Sequence, residues 1–203
     1  MTVVYAIIAV NVLVSLYGFR ALARGEPDAS RFVFVPHDVA RGENGLGMLL
    51  SHVAHVNYLH LGFNMLALWS FSHTVLEAVG SVWYLVIYAA AGFGSDLVVF
   101  AFRRDDPTYK CLGASGSVSG IMMAAVVLDP STSIAFVFAP VPIPGPFFMI
   151  GYVLVSVLLI MRRARGGISH EGHLGGALVG LGVTVLVAPR GLAPLVRWFG
   201  HWL

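Results

Sequence analysis

The sequence predicts an all-α membrane protein, a bundle of six transmembrane helices whose central fourth helix is short. Three observations lead there. Of 203 residues, 58 % are hydrophobic and 11 % are charged, under half the charged share of an ordinary soluble protein, and mean hydropathy is +0.83. Apolar runs alternate with short segments that hold most of the charge. One of those runs is too short to cross a bilayer. A soluble domain of this size needs charged groups to cover its exterior. The composition therefore excludes a soluble enzyme, a disordered chain and a nucleic-acid binder built on basic patches. The net charge of +2 points to no partner by itself, and the single Cys111 allows neither an intrachain disulfide nor a cysteine metal cluster.

A spanning helix needs about 20 mostly apolar residues. The first is expected within residues 1–19, where Thr2–Phe19 holds no charge and Asn11 and Ser15 are its main polar groups. A signal peptide is rejected, because no basic stretch precedes the run and no small-residue cleavage site follows it. Residues 20–47 form loop 1, with four arginines, four carboxylates, the Pro27 and Pro36 breaks and room for a short interfacial helix. Residues 48–187 form a core of helices two to six. The second span is expected over 56–72 and the third over 82–102, followed by Arg103, Arg104, Asp105 and Asp106. The fourth covers 113–128; from Ser115 it reaches roughly 21 Å, short of the ~30 Å hydrocarbon core. The fifth covers 146–161 and ends at Arg162, Arg163 and Arg165. The sixth covers 172–187 and stops before Pro189; the tail 188–203 offers Trp198 and Trp202 to an interface. The whole of 1–203 reads as one membrane domain. A helix that cannot span must start beneath the membrane surface, where exposed backbone is tolerated only inside protein or beside water. The start of the fourth helix is thus expected at the floor of a wet cavity.

Polar groups at membrane depth are costly and mark functional positions. His60 and Asn64 lie four apart on one helix face, and His55 precedes them. The bland alternative is helix-to-helix glue. Ser115 opens the short helix in the stretch from Gly113 to Gly120, where free backbone N–H groups and the positive dipole end would meet an oxyanion formed by serine attack. The alternative there is close packing through Gly116 and Gly120. His173 heads the sixth helix, beside His170 and Glu171, with Gly172, Gly176 and Gly180 at spacing four. That stripe would press the sixth helix on the fourth and bring an imidazole to Ser115, whose hydroxyl needs a base. A metal site is disfavoured, because the H-E-x-x-H pattern is absent.

Taken together these stretches resemble the rhomboid family of intramembrane serine proteases over roughly Met48 to Val187. The matching elements are His60-x-x-x-Asn64 with His55 before it, Gly113-Ala114-Ser115-Gly116, and His173-Leu174-Gly175-Gly176. The resemblance implies a rhomboid-like six-helix bundle and a Ser–His dyad without an acid. Ser115 would be the nucleophile and His173 the base, while His60, Asn64 and the Ser115 N–H would stabilise the oxyanion. His55, Gly113, Gly116 and Gly176 would support them. It implies no cofactor and no metal, a single-span membrane protein as substrate, the lipid bilayer and no nucleic acid as partner, and a multi-pass place in a bacterial inner membrane. The sequence departs from the family at Ser119, where many relatives carry an aromatic residue that stacks on the catalytic imidazole, and in loop 1, which lacks a Trp-Arg pair. Asp96, a carboxylate well inside a span, is expected either to pair with Arg103 or to line the cavity. With the N-terminus inside, ten of the twelve basic residues fall on the catalytic side, so the positive-inside rule turns that side to the cytoplasm. The resemblance to bacterial members implies the reverse, and the side stays open. Two rival readings are a non-catalytic relative that binds transmembrane helices and a small transporter using the same cavity.

Overall fold

The computed structural model describes residues 1–24, 31–136, 139–162 and 167–201. It is mostly helical. Helix α1 spans Thr2–Ala23, two short helices α2 (Pro36–Ala40) and α3 (Gly45–Leu50) follow, and a 3-10 turn at Ser51–Val53 leads into α4 (Tyr58–Arg103). Then come α5 (Ser115–Leu128), a hairpin of β1 (Ser133–Phe136) and β2 (Ala139–Pro144), α6 (Gly145–Met161), α7 (His170–Val187) and α8 (Ala193–Gly200). By length and composition, α1 over Thr2–Ala21 and α4 are long and apolar enough to cross a membrane, and α5 and α6 are shorter apolar helices.

α4 is not one straight rod. Gly80 has φ 75° and ψ 173°, a conformation essentially reserved to glycine. Ser72 Oγ and Tyr84 Oη lie 2.7 Å apart, although twelve residues of straight helix would separate them by about 18 Å. The chain therefore folds back at Gly80 into two arms, 58–79 and 81–103, each of roughly 33 Å at 1.5 Å per residue. The second arm matches the expected span 82–102, while the first overlaps the expected 56–72 and runs seven residues further. Asn57 caps the first arm, its side chain accepting from the His60 N–H at 2.8 Å.

α5 sits at the centre. All of 116–127 is buried, which explains why this helix alternates no polar face with its apolar one. α4, α5 and α7 make the packed core, with α1 against α4 and α6 against α7. Glycine sets the spacing between α5 and α7. A Cβ built on Gly176 would lie 2.1 Å from the Gly116 carbonyl oxygen, and one on Gly180 would lie 2.3 Å from the Gly120 Cα. The anticipated stripe is therefore a backbone-to-backbone contact.

Several details differ from expectation. α1 runs on to Ala23, and loop 1 holds two helices plus a backbone pairing of Phe34 with Cys111 (N···O 2.9 and 3.1 Å). This pairing ties loop 1 to the segment before α5. α7 begins at His170, because the Ser169 hydroxyl accepts from the Gly172 N–H and caps it there. The hairpin between α5 and α6 was not anticipated: its run of prolines argues against strand pairing, yet Ile134 opposes Ile143 and tucks into the core beside Met122 and Val126. Pro27, Arg163, Arg165 and Trp202 lie outside the described residues.

Candidate active site

A cavity of about 880 Å³ opens between the start of α4, the start of α5, the loop before α5 and the start of α7. Ser115, His173, His60 and Asn64 all line it. Each comes from a helix beginning, which is where a chain leaves loop for regular structure and aims side chains at a common point.

Ser115 is the first residue of α5. Its preceding residue is Ala114, which offers no side-chain cap, so the first N–H groups of the helix stay available beside the hydroxyl. Gly113 takes φ +132°, and a Cβ there would lie 2.6 Å from His60 Cε1. Glycine thus serves both the backbone turn and the seat of the His60 ring. Asn64 donates one side-chain N–H to the His60 carbonyl at 2.9 Å, which leaves its second amide hydrogen free to donate.

His55 is 2 % exposed and lies at the back of this turn. Its Nδ1 is 3.0 Å from Ser15 Oγ on α1, the Ala114 N–H donates to its Nε2 at 3.5 Å, and Ser15 Oγ donates to the Val53 carbonyl at 3.3 Å. The three contacts fix the tautomer. Nε2 accepts, so Nδ1 carries the hydrogen and donates to Ser15. Burial, and then the neighbouring His60, push its pKa down to about 4, which keeps it neutral. The His60 ring stands edge-on to it at 5.0 Å.

His173 lies near-parallel to the Tyr152 ring of α6, with centroids 6.4 Å apart and planes at 21°. The Tyr152 hydroxyl lies 2.6 Å from Ser119 Oγ, which also donates to the Ser115 carbonyl at 2.7 Å. The aromatic ring beside His173 thus comes from α6 and not from position 119, and Ser119 contacts its hydroxyl. No hydrogen bond joins Ser115 Oγ to His173 among the described residues, although both line the cavity.

Asp96 departs from one of its two expected partners. It pairs with His52, Oδ2 to Nε2 at 2.7 Å, and not with Arg103, which binds Glu171 instead. Arg103 ends its helix where its side chain meets the start of α7, a full two turns from Asp96. Asp96 and His52 line a second, small cavity of about 20 Å³ that also touches Ser115 and Ser95, room for about one water molecule. Sequence reasoning missed His52, Tyr152 and the Arg103–Glu171 pair. Their partners lie 44, 21 and 68 residues away, as between His52 and Asp96, Tyr152 and His173, and Arg103 and Glu171, and no local spacing signals them. Among the described residues no group of three or more His, Cys, Asp or Glu side chains could hold a metal ion.

Residues 43–190 match the Rhomboid domain. This chain belongs to the rhomboid family, a family of membrane proteins. It is 31 % identical over 139 residues to the presenilin-associated rhomboid-like protein of mouse mitochondria, covering 66 % of this chain and 36 % of that one. It is 31 % identical over 145 residues to the rhomboid protease GluP of Bacillus subtilis (strain 168), covering 70 % and 26 %. RHOMBOID-like protein 12, mitochondrial, of Arabidopsis thaliana is 28 % identical over 148 residues, 65 % and 43 %. The chain thus matches less than half the length of each of these relatives. Because they include mitochondrial proteins, they lend no support to a bacterial inner membrane as its location.

Proposed function

We propose that this chain is an intramembrane serine endopeptidase, a six-helix membrane bundle in which α1, the two arms of α4, α6 and α7 surround the short α5. One observation carries the reading: Ser115, His173, His60 and Asn64 line a single cavity at the starts of their helices. Membership of a family that includes a named protease, GluP, supports it.

In this reading His173 takes the Ser115 proton as the hydroxyl attacks the scissile carbonyl. Negative charge develops on the carbonyl oxygen, beside the Ser115 N–H, the free amide hydrogen of Asn64 and the His60 ring. Preorganised donors aimed at the oxygen stabilise such charge strongly. His173 then protonates the leaving amine, and the acyl-enzyme is hydrolysed when His173 takes a proton from water. Tyr152 holds the imidazole plane through both steps. The substrate is a single-span membrane protein whose helix unwinds at the cavity. The cavity gives water a route to the buried centre of the bundle, which is why the short α5 matters: it lowers the nucleophile below the surface while leaving it wet.

The test is cleavage of a single-span reporter protein in proteoliposomes. Ser115→Ala abolishes cleavage while the protein still inserts and folds. Undiminished cleavage removes Ser115 as nucleophile, and binding of the reporter without cleavage by the wild type favours a non-catalytic helix-binding protein.

A further inference from the structure

We infer that Arg103 and Glu171 are positioning residues for His173, a pair that fixes the rotation of α7 about its own axis; the inference rests on the hydrolytic reading of the cavity. α7 packs on α5 through glycines. Such a contact sets how closely two backbones approach, and Val179 of α7 seated against Gly94 of α4 adds a fit of shape, but neither contact is polar or directional. A directional contact next to His173 would set its register with Ser115 more finely than packing does.

The first turn of α7 carries that element. Glu171, two residues before His173, is 3 % exposed. Its Oε1 accepts from Arg103 Nε at 2.8 Å and also from Arg103 Nη2. Two guanidinium donors converging on one carboxylate oxygen make a charge-assisted contact that holds the first turn of α7 to the end of α4. Each charge also sits at the helix end that favours it, the cation in the last turn of α4 and the carboxylate in the first turn of α7. The guanidinium in turn lies over the Tyr109 ring, 4.9 Å from its centroid. The Tyr109 hydroxyl donates to Ser169 Oγ at 2.7 Å, and Ser169 caps α7 through the Gly172 N–H. Two routes, Arg103 to Glu171 and Arg103 through Tyr109 to Ser169, therefore join the end of α4 to the one turn that bears His173. Arg103, Tyr109 and Ser169 also line the cavity, so the clamp and the site share a wall.

The experiment compares Glu171→Gln, which keeps volume and removes the charge, and Tyr109→Phe, which keeps the ring and removes the hydroxyl. Reporter cleavage is measured per folded molecule, below each variant's melting temperature, alongside NMR of histidine-labelled protein with the His173 signal assigned from His173→Ala. Glu171→Gln lowers kcat at least tenfold with KM within twofold, and Tyr109→Phe lowers it severalfold. In both, the His173 resonance shifts while exposed His73 does not. If Glu171→Gln does not fold, Tyr109→Phe alone decides. Wild-type kcat with an unmoved His173 signal overturns the inference, since a purely scaffolding pair would alter only stability. A wild type that never cleaves overturns the hydrolytic reading instead, and the His173 resonance then decides the positioning role by itself.

Discussion

Consider one added methyl group, Gly176→Ala. The new Cβ would lie 2.1 Å from the Gly116 carbonyl oxygen, 2.6 Å from its carbon and 2.8 Å from its Cα. Ordinary contact begins at 3.4 Å, so the helices must separate by about 1 Å, and the obstacle is backbone that cannot swing aside. Alanine returns up to ~1 kcal/mol of helix propensity over glycine, whereas overpacking costs about 1–3 kcal/mol. The net loss of stability is small, on the order of 0–2 kcal/mol. The effect on chemistry is larger. Gly116 adjoins Ser115 and Gly176 lies one turn after His173, so the separation falls on the dyad itself, and a 1 Å misplacement costs roughly 10²-fold in rate. Gly182→Ala on the same helix is the control, because nothing lies within 4 Å of its Cβ position; it leaves activity unchanged and raises stability by up to ~1 kcal/mol. Thermal unfolding in micelles and reporter cleavage in proteoliposomes separate the two. Wild-type cleavage by Gly176→Ala would refute the claim that glycine contact brings serine and histidine together.

Other predictions follow from the same geometry. Tyr152→Phe loses one hydroxyl contact, and Ser119 keeps its bond to the Ser115 carbonyl, so activity falls less than threefold while Tyr152→Ala falls more than tenfold in the same cleavage assay. His55 has its pKa pushed down to about 4 from 6.5, so between these values the unfolded chain binds more protons than the folded one. Stability contributed by neutral His55 is complete above pH 6.5 and is lost as pH falls through 4, by about 3 kcal/mol; the melting temperature of the wild type declines over that window and that of His55→Gln declines less. Burial first, then the Asp96 and Glu171 charges, hold the Cys111 thiol up at about 12, so maleimide labels it slowly at pH 7.5 in the folded protein and rapidly after denaturation. Gly80→Ala places a side chain at φ 75° and destabilises by roughly 1–3 kcal/mol, read from thermal unfolding.

Much of this architecture was legible in the residues because it is written in local pattern. Apolar runs and their charged ends set most helix limits to within a few residues, although the first arm of α4 runs seven residues past its expected end at 72, and the fourteen residues of α5 follow from Ser115 to Leu128. Glycines at spacing four announce close helix packing, and His60 and Asn64 declare a shared face by being four apart. What stayed hidden is what the tertiary fold decides. Gly80 falls between the second and third expected spans, and only the structure shows that a single glycine of positive φ makes the turn. Asp96 had an arginine one or two turns away in sequence, but burial of α4 against the 3-10 turn gave it His52. Tyr152 could not be connected with His173, because the empty aromatic position at 119 carries no sign of which helix fills it. The Arg103–Glu171 pair joins two loop-flanking charges that in sequence read as solvated ends of spans.

The most direct test of the central claim is covalent labelling by a fluorophosphonate, read by peptide mass spectrometry. A serine that acts as nucleophile with His173 as its base takes the adduct at Ser115, and the adduct vanishes in His173→Ala while that variant remains folded. An adduct of equal rate in His173→Ala, or none on the wild type, would contradict the pairing of serine and histidine.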